Sequence, residues 1–143
     1  MKIVVIDGQG GRLGKTLVEK LRAEIPEAEI CAIGTNSIAA SVMNKAGAHA
    51  SASGENPVVV ACRDADVIVG PVGIVIADSL LGEVTPRMAL AVGQSRAEKV
   101  LLPVNRCENH IVGVADLSVS RLVAEAVGYI HGLMKQPSYT SGI

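Results

Sequence analysis

The sequence contains no tryptophan and no phenylalanine, and its only aromatic side chains are Tyr129 and Tyr139. Aromatic platforms on which bases stack are therefore missing. With 13 Lys and Arg against 14 Asp and Glu, no basic footprint compensates, so nucleic acid is not an expected partner. Cysteine is also sparse. Cys31, Cys62 and Cys107 are odd in number and far apart, which fits reduced thiols in the cytoplasm better than a disulfide framework. The strongly apolar stretch from Val67 to Ala77 is interrupted by Gly70, Pro71 and Gly73 and is too short to cross a bilayer. The first residues read as a strand with a lysine at position 2, and no signal peptide is expected. These absences predict a cytoplasmic protein with no membrane partner.

What is present is aliphatic. Nearly half of the 143 residues are apolar, and the core must be built from Val, Ile, Leu, Ala and Met. That palette suits a buried sheet covered by helices, and the length suits one domain, expected over residues 1–135 with a flexible tail at 136–143. No internal repeat or low-complexity run interrupts it.

The chain is organised around its first 22 residues. Lys2-Ile-Val-Val-Ile-Asp7 reads as a buried parallel strand, Gly8 to Gly14 as a glycine-dense turn, and Thr16 to Arg22 as a helix by its apolar spacing. Strand, glycine turn and helix in that order place unpaired N–H groups and a partial positive charge where a phosphate can sit. Gly8, Gly11 and Gly14 give G-x-x-G-x-x-G, the variant found in extended and atypical short-chain dehydrogenase-like domains. The standard G-x-G-x-x-G fails at Leu13. Gly14-Lys15-Thr16 also matches the end of a phosphate loop, but its leading glycine should stand at position 9, which is Gln9. The dinucleotide-type turn ranks above the phosphate loop. A turn that binds nothing is the plain alternative.

Further along, Glu29 to Ile33 reads as a second strand ending in Gly34-Thr35-Asn36. The acidic residue that meets the ribose in NAD-binding domains is absent there, as is the basic residue that meets the extra phosphate of NADP. Thr35 and Asn36 are candidates for the sugar or for capping the next helix, expected from Ser37 to Ala46. Ala48 to Ala52 reads as a weak third strand, and Val58 to Arg63 as a short helix. His49, with no visible partner, reads as an ordinary polar residue near a strand end. Val67 to Val69 is the fourth strand. Gly70, Pro71 and Gly73 after it are expected to face the same ligand as the first turn, because loops following strands one and four flank the crevice of a doubly wound sheet.

Asp78 and Glu83 are the candidate carboxylates for acid/base work, and Thr85 before Pro86 reads as a helix cap. The apolar 74–81 segment reads equally well as a surface for another subunit. Glu98 to Val104 is the fifth strand, followed by a polar loop in which Asn105 and Arg106 are placed to reach an anion. Cys107 and His110 have metal-ligand spacing but no second pair, so no metal site is expected. Ile111 to Val114 reads as a sixth strand, and Asp116 or Ser118 as the cap of a last helix running to about Lys135.

Taken together, Ile6-Asp-Gly-Gln-Gly-Gly11, Gly14-Lys15, Ile33-Gly-Thr-Asn36, Gly70-Pro71, Leu81-Gly-Glu83 with Thr85-Pro86, and Leu102-Pro-Val-Asn105 resemble a small bacterial family. It is found mainly among Firmicutes and catalogued as a domain of unknown function. The resemblance covers nearly the whole chain and implies a free-standing Rossmann-like domain. Likeness to the short-chain dehydrogenases is confined to the glycine turn. Their Tyr-x-x-x-Lys pair is absent, since Leu133 stands where Tyr129 would need its lysine.

The expectation is thus an α/β, three-layer, Rossmann-like doubly wound fold with a mostly parallel sheet. It would bind NAD(P) or another small-molecule nucleotide and assemble as a homo-oligomer. Gly8, Gln9, Gly10, Gly11, Arg12, Leu13, Gly14 and Lys15 would hold the phosphate, Thr35 and Asn36 the sugar, and Gly70, Pro71 and Gly73 the far wall. Asp78, Glu83 and Asn105 are the candidates for chemistry, and Asp7 is expected either to repel phosphate or to brace the turn. Gly11→Val is expected to abolish binding in a folded protein. A non-catalytic nucleotide sensor and a phosphate-loop-like hydrolase are the alternatives.

Overall fold

Burial on both faces is what the run Ile3-Val4-Val5-Ile6 demands, and the chain meets that demand by making it the central strand. A computed structural model of the chain describes residues 1–104 and 108–136. Strand β1 (Lys2–Asp7) lies in the middle of a five-stranded sheet of order β3-β2-β1-β4-β5, every pairing parallel. The other strands are β2 (Glu29–Gly34), β3 (Ala50–Ser53), β4 (Val67–Pro71) and β5 (Glu98–Leu102). Chain order reverses between β1 and β4, so the crevice of this doubly wound sheet opens at their carboxyl ends.

Side chains alternate across the strands and divide the core in two. Ile3 and Val5 pack toward α1 (Arg12–Glu24), α2 (Ser37–Lys45) and α5 (Val119–Met134), while Val4 and Ile6 pack toward α3 (Glu55–Ala61) and α4 (Pro86–Gln94). The result is three layers. Helix α1 buries Leu13, Leu17, Val18 and Leu21, a spacing that puts one apolar stripe on the sheet. Among the described residues no helix is long and apolar enough to cross a membrane.

Three helices begin on side-chain caps that the sequence announces. Asn36 accepts from the Ala39 amide at 2.8 Å, Thr85 from Met88 at 3.1 Å and Ser118 from Arg121 at 3.2 Å. Helix α1 and the short α3 begin instead on Gly11 and Gly54, without a side-chain cap.

Several boundaries move. Helix α1 starts at Arg12, four residues before the expected Thr16, because Leu13 already belongs to the buried apolar stripe and Asp7 accepts from the Gly14 amide in the first turn. Strand β4 continues through Gly70 and Pro71, which pair with Leu101 and Leu102 of β5. The third strand is displaced from residues 48–52 to Ala50–Ser53. The sixth strand does not form. Val112 is 86% exposed and Gly113 turns the chain with φ 82, so residues 111–114 never extend along a neighbour. Asn105, Arg106 and Cys107 lie outside the described residues, as does the expected tail from residue 137 onward.

His49 has a structural task. Its backbone N–H donates to the Ile30 carbonyl at 2.9 Å and its Nδ1 accepts from the Ile30 amide at 3.0 Å, so the side chain adds a rung to the ladder between β2 and β3. Replacing His49 by alanine leaves that half-buried amide without its acceptor, at about 1 kcal/mol. The thermal midpoint should fall by about 3 °C, measured by calorimetry; an unchanged midpoint would show that water replaces the ring without loss.

Candidate functional site

The glycine turn sits at the carboxyl end of β1, as its sequence requires, but two carboxylates of the chain already occupy part of it. Asp7 is 4% exposed and ends β1. Its Oδ1 accepts from the Gly8 amide at 2.8 Å and its Oδ2 from the Gly14 amide at 2.7 Å. Burial pushes its carboxyl up; the Gly14 and Gly8 bonds pull it back, nearby Glu83 adds to the rise, and the net direction is upward. Of the two roles expected for Asp7, the geometry gives it the bracing one.

Glu83 arrives from the loop between β4 and α4. Its Oε1 accepts from the Gln9 amide at 2.9 Å, the Thr35 hydroxyl at 2.8 Å and the Asn36 side-chain amide at 2.7 Å. Burial raises this carboxyl too, but the bonds from Gln9, Asn36 and Thr35 outweigh it and hold Glu83 below the usual carboxylate range. Glu83 is therefore ionised at neutral pH and locks the turn to the end of β2. Asn36 also donates to the Gln9 carbonyl at 2.9 Å while capping α2, so both Thr35 and Asn36 are engaged by protein partners.

The glycines divide by what surrounds them. A Cβ on Gly8 would meet Glu83 Oε1 and Leu80 at 3.0 Å; on Gly14 it would run into Met43 and approach Asp7 at 2.9 Å. Gly11 has φ 74 and lies against the Ala39 backbone, where a Cβ would come within 2.8 Å. Gly10 is different: nothing lies within 4 Å of where its Cβ would be. Three turns of sequence logic, bend, approach and packing, are thus assigned to separate glycines. The amides of Gly10, Arg12 and Leu13 meet no acceptor among the described residues. Lys15 and Thr16 stand one turn inside α1, with the Thr16 hydroxyl donating to the Arg12 carbonyl at 3.0 Å, which is not the helix-starting position a phosphate loop gives its G-K-T end.

Gly70, Pro71 and Gly73 are buried rather than open to the crevice. A Cβ on Gly70 would overlap the Ile6 carbonyl oxygen, so the glycine serves the approach of β4 to β1. The wall beside the turn is built by the next segment. A 3-10 turn at Val72–Val75 leads into a loop in which Asp78, Leu80 and Leu81 all take positive φ, at 65, 55 and 57. Ser79, 4% exposed, donates to the Gly73 carbonyl and pins the loop's base. An open cleft of about 720 Å3 is lined by Gln9, residues 76–81, Glu108 and Asn109. Asp78 lines it; Glu83 is held beside it; Asn105 lies outside the described residues. Among the described residues no group of three or more His, Cys, Asp or Glu is arranged to hold a metal ion. The Cys62 thiol is buried, which pushes it up to about 11 and leaves it inert at neutral pH.

The role of Glu83 is the feature that sequence reasoning missed. Its partners lie 47, 48 and 74 residues away, and no local pattern links them.

A family model described as a domain of unknown function, DUF3842, matches residues 2–135. No curated protein matches. Among solved structures, the fold resembles a dodecameric FMN-dependent Ubix-like decarboxylase from Escherichia coli O157:H7, with 15% identity, a TM-score of 0.45, and coverage of 95% of this chain and 96% of that one.

Proposed function

Starting from a chain that belongs to the DUF3842 family and folds as a Rossmann-like α/β domain, we propose that it binds a nucleotide or dinucleotide at the glycine turn, with NAD(P) as the leading class. The observation that carries this reading is the start of α1. It begins on a glycine that supplies no side-chain cap, Asp7 takes the Gly14 amide, the amides of Gly10, Arg12 and Leu13 meet no acceptor among the described residues, and Gly10 has open space where a side chain would stand. Next to it lies the 720 Å3 cleft, at the crevice where ligands of doubly wound sheets bind. A phosphate is held by the amides of Gly10, Arg12 and Leu13, while the exposed Arg12 and Lys15 side chains make the local potential more positive and so lower the energy of an anion. Gly8 and Gly14 shape the turn rather than touch the ligand. The remainder of the ligand follows the wall at residues 76–81, where Asp78 is the carboxylate best placed for any chemistry.

Thermal melting against NAD, NADH, NADP, NADPH, ATP, GTP, sugar phosphates and inorganic phosphate tests the reading. A ligand present at about 100 times its Kd adds about 2.7 kcal/mol and raises the midpoint by about 9 °C. A pyridine nucleotide is expected to do so. A panel that leaves the midpoint unmoved removes the proposal, and a magnesium-dependent shift with a triphosphate alone points to the hydrolase.

A second reading, a nucleotide sensor that signals through self-association, draws support from Leu81, which is 96% exposed at the tip of the loop that bears Glu83. A change of oligomer size on nucleotide binding without turnover, followed by sedimentation, is its expected signature.

A further inference from the structure

Dinucleotide-binding domains place a carboxylate at the end of the second strand, where it accepts from ribose hydroxyls. Here β2 ends in Gly34, Thr35 and Asn36, with no acid among them, yet a carboxylate stands at that place. It is Glu83, carried in from the far side of the crevice. The two polar residues that follow β2 both donate to its Oε1, and the Gln9 amide fastens the same oxygen to the glycine turn.

Convergence of three donors on one oxygen leaves Oε2 with no partner among the described residues. The side chain that holds Oε1 is therefore already oriented, and its second oxygen is an acceptor fixed between the turn and the β2 terminus. An ionised acceptor of this kind favours a vicinal diol, which donates two hydrogen bonds, and repels a phosphate at the same position. The loop beneath is stiffly set: Leu80 is 3% exposed with φ 55, and Ser79 is buried and bonded to Gly73.

We propose that Glu83 is the ribose-recognising residue of this site, accepting from the 2′- and 3′-hydroxyls through Oε2 and selecting dinucleotides with a free 2′-hydroxyl, NAD(H), over 2′-phosphorylated NADP(H). This rests on the nucleotide reading above and names the ligand class within it. Glu83 replaces an acid that this fold ordinarily draws from β2 itself.

Calorimetric titration of the whole chain with NAD and with NADP provides the test, in wild type, Glu83→Gln and Thr35→Val. Wild type is expected to bind NAD at least about tenfold more tightly than NADP. Glu83→Gln lowers NAD affinity by about tenfold, leaves NADP affinity little changed and so closes the gap. Thr35→Val loosens the carboxylate without removing it, and the preference for NAD persists. Equal wild-type affinities for the two dinucleotides overturn the assignment while leaving nucleotide binding intact, and this comparison needs no variant to fold. Equal losses for NAD and NADP in Glu83→Gln also overturn it, since bracing the turn accounts for them. Binding of neither dinucleotide by wild type overturns the assignment of Glu83, while the nucleotide reading falls only if the whole melting panel also leaves the midpoint unmoved.

Discussion

Replacing Gly10 by valine removes nucleotide-dependent stabilisation while the ligand-free protein melts close to wild type. The open space at Gly10, and a φ outside the left-handed region, allow the side chain in; it then stands where the proposed phosphate would approach the backbone. An isopropyl group there excludes the ligand from the amides of Gly10, Arg12 and Leu13, and affinity falls by about 100-fold or more, which is about 2.7 kcal/mol. Folding changes by about 0.5 kcal/mol at most, as for a surface substitution that touches nothing. Melting curves with and without ligand read both quantities at once.

Gly11→Val, the substitution the sequence first suggests, fails as a probe of binding. A β-branched residue at φ 74 pays the left-handed penalty, and its Cβ lies 2.8 Å from the Ala39 Cα in the first turn of α2. Together these destabilise the fold by about 3 kcal/mol. The pair thus separates loss of ligand from loss of structure: full binding by Gly10→Val would move the phosphate elsewhere.

Gly70→Ala should be among the most destabilising single changes in the chain, by about 3 kcal/mol or more, with a midpoint lower by about 10 °C. Its added carbon overlaps the Ile6 carbonyl oxygen on the adjacent central strand, and backbone atoms in a fully paired sheet have nowhere to move. Gly93→Ala supplies the opposite sign. It lies in α4 with nothing within 4 Å of the new carbon, and removing a helical glycine stabilises by about 0.5–1 kcal/mol. Chemical denaturation of both variants measures the difference. Comparable midpoints would show that β4 can slide away from β1, contrary to the pairing described above.

Local chemistry made the sequence legible where the structure obeys local rules. Near-continuous β-branched burial identified β1 and β4, Thr85 before Pro86 identified the start of α4, and the order of strand and helix patterns identified the doubly wound sheet. The sixth strand was misread because Ile111-Val-Gly-Val114 satisfies a composition rule while the chain turns at Gly113, with φ 82, before meeting a partner. Gly70 looked like a loop residue because a glycine between apolar residues and a proline signals a break. Its demand is instead a close approach of two strands, visible only once β1 and β4 are neighbours. Glu83 was legible as a carboxylate near the crevice. Its attachment to Thr35 and Asn36 was not, because hydrogen bonds spanning 47 and 48 residues leave no periodic trace.

The tie between Gln9 and Glu83 spans 74 positions and so sets an order of events during synthesis. A nascent chain that has emerged only through α3 possesses the first three strands and the three helices that follow them, but the mouth of the turn still lacks its clasp. Only when the segment after β4 leaves the ribosome does the amino-terminal bend acquire its final shape, so translation must pass the chain's midpoint before an early motif is fully braced.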